Sequence, residues 1–563
     1  MSRLSIALSV FILPIGFQSI PAQSTETKAG TATISGKVLL NGEPARAVTV
    51  ILQGQVQDPS NSLRAKSGDD GRFKFNGVVA GSYTIMALVP GYITTDDTYF
   101  GISRGKPINI AEGEKVENVD LEIKRGGVIA GRVADSQGRP VIEESIYLSR
   151  IGKNNQPQSY SNYSGNYDMH RTDDRGAYRI YGLPEGRYLL SVGVAEGAGS
   201  RGVAMSREFY PRVFYPNVTA ESEAKVIEVA EGSETIDVDI TVPDAKQAHD
   251  VSGRVVDAAT GQPVAGVEVA MGGVSKDGRS SVGVMGIGAS SNSNGEFHLI
   301  GALPGKYAIF AGANGLGGSS VYISDPVIFD VSEGDVSGIE IKVSQGASIS
   351  GVAIIEGTND PKVLAKLSQI NISTFIRATT PGPPTPSSEI IAKINADGSF
   401  RIDGLRPGKA IISVVPMLNA RDISVARIER NGTPAANDGI EIASGEQLTG
   451  VRVILVHSAL TLRGELKIVG GSLPPSLKFY ATARKTGQGG AQFSRGAEID
   501  VRGLFVFEYL APGEYEIGVS PMNSQDNQTV SQEIRRLISS VKEKVALSGG
   551  NQQQVTLVIN LSQ

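Results

Sequence analysis

The chain has 563 residues, with 53 Lys and Arg against 58 Asp and Glu. The resulting net charge of −5 excludes the strong basic excess of a nucleic-acid or acidic-membrane binder. There is no cysteine, which excludes disulfides and a lipid anchor on an N-terminal cysteine and leaves stability to packing. The 68 Gly and 27 Pro are spread along the chain, as many turns between short strands require.

Residues 1–22 read as a secretory signal peptide. Arg3 supplies the positive start, 4–20 is mainly apolar, and Ile20-Pro21-Ala22 before Gln23 offers a cleavage site. The alternative is an uncleaved anchor, but the run is short for a span and Pro14 and Gly16 interrupt it. No later stretch approaches transmembrane length. The expected product is exported, periplasmic or extracellular, with no membrane span after signal cleavage. An exported chain without cysteine points to a bacterial source.

From about residue 30 the sequence repeats itself. Each unit opens with a strand carrying Gly, at positions 36, 131, 253, 351 and 464, in steps of 95, 122, 98 and 113. In the first three a turn follows (Gly42-Glu43-Pro44, Gly138-Arg139-Pro140, Gly261-Gln262-Pro263), then another alternating strand such as Val48-Val50-Leu52. The most regular stretch comes next, at 70–85 in the first unit: D-G-R-F-K-F-N-G-V-V-A-G-S-Y-T-I. Its turn Gly is suited to positive φ. A strand follows with apolar residues at every second place: Phe73 and Phe75, Tyr178 and Ile180, Phe297 and Leu299, Phe400 and Ile402, Phe505 and Phe507. The residues between are mostly polar (Lys74, Arg179, His298 and Arg401), so the strand is half-buried. A second turn ending in Gly, such as Leu303-Pro304-Gly305, leads to another strand that usually starts at Tyr. Pattern alone leaves open whether these two strands pair or arch between sheets. Burying each ring is worth roughly 2–3 kcal/mol, which assigns Phe73 and its equivalents to the core.

A period near 100 residues with roughly seven short strands predicts an all-β tandem array of five Greek-key β-sandwiches, at 30–125, 127–243, 248–344, 347–457 and 459–563. The links Arg125-Gly126-Gly127 and Ser344-Gln345-Gly346 are short, which predicts a stiff string. End to end it would form a rod on the order of 150–200 Å. Only the last unit offers a convincing helix: Val530, Ile534, Leu537, Ile538 and Val541 share one face, suited to covering a sheet edge or face.

The S-G-x-V opening and the G-x-F-x-F-x-G-L-x-P-G-x-Y stretch, five times over, resemble the carboxypeptidase regulatory-like domain, a transthyretin-like sandwich. The resemblance covers nearly all of the expected mature chain. It implies an accessory domain of the kind that accompanies metallopeptidases, outer-membrane receptors and surface proteins, and one grouped with carbohydrate-binding-like sandwiches. The peptidase's zinc site is missing: none of His170, His249, His298 and His457 begins an H-x-x-E or H-x-x-x-H pattern. The chain is also distantly similar to collagen-adhesin B-type repeats. Their isopeptide bond is not expected here, because Ala87, Val192, Ala311, Val414 and Val519 stand where its Glu would be.

No other chemistry is legible. No Gly-Lys pair is followed by Ser or Thr, 283–288 is Gly-rich without a following helix, and 198–202 misses a nucleophile elbow by one residue. Asp69-Asp70 and Asp173-Asp174 fail calcium-loop spacing and read as turns. We therefore expect no enzyme, no cofactor and no metal. The most distinctive bias is in the second unit, which holds nine of the 17 tyrosines. Tyr160, Tyr163 and Tyr167, mixed with Ser, Asn and Gly, suit a recognition loop, and Tyr210 and Tyr215 extend the candidate ligand patch. The bland reading is a polar strand pair with exposed rings. The function expected is a non-enzymatic spacer or adhesion module of the envelope with an unknown protein or glycan partner. The alternative is a carbohydrate-binding protein, against which stands the absence of Trp.

Overall fold

The computed structural model describes residues 30–54, 62–94, 98–99, 102–103, 105–152, 155–160, 170–194, 208–274, 281–312, 321–377, 389–417, 420–435, 439–458, 460–473, 477–486, 494–521, 532–548 and 553–562. The expected signal peptide, Tyr163, Tyr167, Val530 and residues 198–202 lie outside them. The protein is all-β, built from sandwiched sheets in tandem. In the first sandwich the opening strand Ala32–Leu40 lies between the antiparallel strand Arg72–Val78 and the parallel strands Lys115–Val116 and Leu121–Arg125. The second sheet runs Lys106–Ile110, Gly81–Leu88, Thr49–Gly54, Ser62–Lys66. The same pairing recurs down the chain: His249–Asp257 lies parallel to Val336–Gln345, Ala347–Glu356 to Gln447–His457, and Leu460–Val469 to Gln553–Asn560. Parallel neighbours cannot be joined by a tight turn. Each unit is therefore closed by pairing its first strand with its last, after the chain has travelled around the core.

The regular stretch is an arch. Arg72–Val78 and Gly81–Leu88 belong to different sheets, as do Ala177–Leu183 and Gly186–Val192, Glu296–Ala302 and Gly305–Ala311, Ser399–Leu405 and Gly408–Pro416, and Leu504–Leu510 and Gly513–Pro521. The turn carries the chain across the core, so the rings before it and the strand after it face one interior. All ten alternating residues from Phe73 to Phe507 are buried. Separate cores fill the successive sandwiches.

Two glycines per unit are required by the backbone. The turn Gly has positive φ at 71, 176, 295, 398 and 503, and its carbonyl accepts the opening-strand N–H of Val38, Val133, Val255, Ala353 or Leu466. The opening Gly sits where the last strand crosses closest. A Cβ at Gly36, Gly131, Gly253 or Gly351 would stand 2.0–2.1 Å from the carbonyl oxygen of Val119, Val238, Ile339 or Val451. At Gly464 it would meet the ring of Phe505 at 2.0 Å.

The Tyr after the arch is explained by one bond. The hydroxyls of Tyr83, Tyr188, Tyr307 and Tyr515 donate to the carbonyls of Val79, Pro184, Leu303 and Ala511, four residues upstream, at 2.7–2.8 Å. The ring fills the core while its polar tip satisfies a turn carbonyl. The fourth unit has the buried Ala410 there instead. Burial, opposed by Arg150, pushes the Tyr188 hydroxyl up to about 12. The neutral ring's contribution is then fully present below about pH 10, the ordinary tyrosine value. It is lost as pH rises towards about 12, because the unfolded chain ionises first. Tyr188→Phe is expected to cost about 1–2 kcal/mol at pH 8 and to flatten the loss of protection between pH 10 and 12. Hydrogen exchange of the amides in Gly186–Val192 checks both effects.

Helix Gln532–Ser540 packs on Gly513–Pro521, with Ile538 buried and Ile534 and Leu537 against the fifth core. A helical turn not anticipated from the pattern, Pro361–Leu364, continues as the 3-10 segment Ala365–Gln369. Asp360 caps it by accepting the Lys362 N–H, with Pro361 in the first turn. Four residues are too few for an amphipathic period to register. Among the described residues no helix is long and apolar enough to cross a membrane.

The straight rod is not what forms. The first and fifth sandwiches touch: Lys106–Ile110 and Gly81–Leu88 both contact Leu504–Leu510. Short, stiff links fix the angles between neighbours, and the links themselves do not reveal that the angles turn the chain back on itself.

Candidate functional site

The tyrosine cluster of the second sandwich is only partly a surface. Tyr160 ends the strand Pro157–Tyr160, in register with Leu148, whose side chain is buried. Tyr210 and Tyr215 are half-buried and pack against the second core. Burial, reinforced by Asp135 and Glu144, raises the Tyr210 hydroxyl above its ordinary value. Lys225 Nζ stands 5.6 Å from the centre of the Tyr215 ring. Tyr147 and Tyr181 reach solvent, each 38 % exposed, and the Arg212 guanidinium stands 4.7 Å from the centre of the Tyr147 ring. Nothing in the Tyr-Ser-Asn composition singled Tyr147 out, because it lies in an ordinary alternating strand, Ile146–Ile151.

The turn carboxylates have structural partners. Asp173 accepts the N–H groups of Arg175 and Ala177, which hold it below its ordinary value. Asp500 likewise accepts the N–H groups of Arg502 and Leu504. Among the described residues no group of three or more His, Asp or Glu side chains lies close enough together to hold a metal ion.

Among the described residues, polar groups also bridge the junctions between sandwiches. The arch of one unit rests on the unit before it. Linker Gly126 donates to the Gly91 carbonyl, and a Cβ on it would strike Gly182 at 2.4 Å. Leu303 packs with Phe209 and Ala248. Arg406 donates to the Ser324 carbonyl, and Gly346 to that of Val321. Between the fourth and fifth units, Ser424 and Ser458 donate to the carbonyls of Tyr509 and Leu510, and Lys485 to that of Ala426. Tyr509 takes φ 58° there. Beside it Asp422 accepts from Lys366 and from His457. Burial opposes the charge on Asp422, yet those two partners hold it below its usual range.

The first–fifth junction is the most developed. Asn109 is 3 % exposed on the edge strand of its sheet. Its backbone N–H donates to Asp500 Oδ2 (3.2 Å), and its Nδ2 to the carbonyls of Leu504 (2.8 Å) and Glu498 (3.4 Å). Its own carbonyl accepts from Arg502 Nη2, while Arg502 Nη1 reaches Glu114 Oε1 at 2.8 Å. Arg463 adds a bond to the Ile110 carbonyl at 3.4 Å. The free N–H and C=O of a sheet edge are thus met by a carboxylate and a guanidinium instead of another strand. No single unit contains this signal. It needs residues 391 positions apart.

Residues 32–103 match the family described as the second β-sandwich domain of the NOMO1-like subunit of the BOS complex, within the carboxypeptidase regulatory-like group. No curated protein matches the chain. Among solved structures, a streptococcal ancillary pilin is similar at 11 % identity and TM-score 0.24, covering 55 % of this chain and 98 % of its own. The major pilin subunit of Bacillus cereus gives 11 % identity and TM-score 0.14, with 56 % and 99 % covered. The shaft pilin of Lactobacillus rhamnosus GG gives 13 % identity and TM-score 0.17, with 39 % and 98 % covered. At such values the likeness is one of β-sandwich fold and carries no argument about role.

Proposed function

We propose that the chain is an exported, non-enzymatic array of five sandwiches, at 30–125, 127–243, 248–344, 347–457 and 459–563, serving as a structural or interaction module of the cell envelope. The observation that carries this reading is where the polar side chains go. The repeated tyrosine hydroxyls, the turn carboxylates and the junction arginines are engaged in holding backbone to backbone. A scaffold has that economy. An active site instead needs titratable groups aimed at a reacting atom. Fractionation of the source cell tests the location: a tagged chain is expected in the periplasm or medium, and retention in the cytoplasm would sink the reading.

Carbohydrate binding is the second reading, favoured by the solvent-facing Tyr147 with Arg212 on the same sandwich as the 159–167 segment. Replacing Tyr160, Tyr163 and Tyr167 together with Ala is expected to reduce binding on a glycan array at least tenfold while leaving thermal unfolding unchanged. Unaltered binding with an intact fold removes those residues as the contact.

A further inference from the structure

We propose that the contact between the first and fifth sandwiches is an exchangeable latch, and that the partner it fits when open is the complementary end of a second copy of this chain. Each half is held in shape by its own unit. On the first, Ser82 Oγ donates to Asn109 Oδ1 at 2.6 Å and the Ala111 N–H donates to Glu114 Oε2 at 2.6 Å, so the side chains are aimed before the fifth unit arrives. On the fifth, Asp500 holds the turn through the N–H groups of Arg502 and Leu504, both at 2.9 Å, and grips the Arg502 guanidinium at 2.8 Å. Separation therefore leaves two formed, complementary surfaces. One offers a carboxylate, Glu114, with an edge carbonyl and N–H. The other offers a guanidinium, Arg502, with the Asp500 carboxylate, whose side chain is fully buried while the latch is shut.

The two surfaces differ and sit on units far apart in the chain, so the contact is heterologous. Made between copies, it leaves one free half at each end and propagates head to tail. Within one chain it competes at an effective concentration on the order of millimolar. Dilute protein therefore closes on itself, and opening any junction hands the same bonds to a neighbour. This inference does not depend on export or on any glycan.

Charge reversal in the full chain tests it. Arg502→Glu and Glu114→Arg are each expected to open the array, seen as a larger radius of gyration in X-ray scattering, and each alone stays monomeric. Mixed in equal amounts they are expected to pair, because one supplies an intact Glu114 and the other an intact Arg502. Light scattering then reads at least twice the monomer mass. The chain carrying both substitutions regains the closed dimensions and stays monomeric. Asn109→Asp, which keeps the Ser82 bond and removes the donors to Glu498 and Leu504, opens the array without touching the fifth unit. Arg502→Gln replaces Arg502→Glu if circular dichroism shows that sandwich unfolded. Opened variants that remain monomeric in the mixture overturn the exchange. Variants that stay compact overturn the latch.

Discussion

Phe505→Ala is expected to destabilise the fifth sandwich by about 3–5 kcal/mol. The ring is fully buried, meets Phe507 edge-to-face at 5.5 Å, and lies under Gly464 of the opening strand. The effect should travel, because its strand Leu504–Leu510 is held at both ends by other units. The 500–504 turn serves the first sandwich, and the Tyr509 and Leu510 carbonyls serve the fourth. Limited proteolysis should nick residues 459–563 first, and scattering should show the array opening. If cleavage and melting match the wild type, the aromatic assignment is wrong.

Gly253→Ala should cost more than about 3 kcal/mol, among the largest effects a single added methyl can have. The new Cβ would lie 2.0 Å from the Ile339 carbonyl oxygen and 2.8 Å from Phe297 Cζ. Only the ring can move. The carbonyl belongs to the parallel strand that closes the unit, so relief means breaking the pairing of His249–Asp257 with Val336–Gln345. Gly334→Ala, where a Cβ would meet nothing within 4 Å, is the matched control and should shift stability by no more than about 0.5 kcal/mol. Hydrogen exchange of amides 251–257 distinguishes them. Equal protection in the two variants would show that the crossing is not tight.

The junction chemistry follows from these cores. Burial raises the Glu508 carboxyl above its usual range, against the pull of Arg463 and Arg421. Burial and Glu508 together raise the hydroxyl of Tyr83 on the first unit. These groups come from the first, fourth and fifth sandwiches. Their meeting depends on how whole units are turned, and no local pattern encodes it.

Sequence alone determined the strands and their buried faces. Period-two alternation at Phe73, Phe297 or Phe400 and the turn glycines are local consequences of how one residue's φ and side chain fit a pleated strand. It also placed Tyr188 and its equivalents correctly after the turn, without revealing the bond that keeps them there. Only the tertiary structure decided that the turn crosses between sheets, that Tyr210 and Tyr215 lean into a core, and that Asn109 meets Asp500. Each outcome depends on which surfaces are left over once the local pieces have packed, and a polar group finds its partner by proximity in space, here across 391 positions of chain.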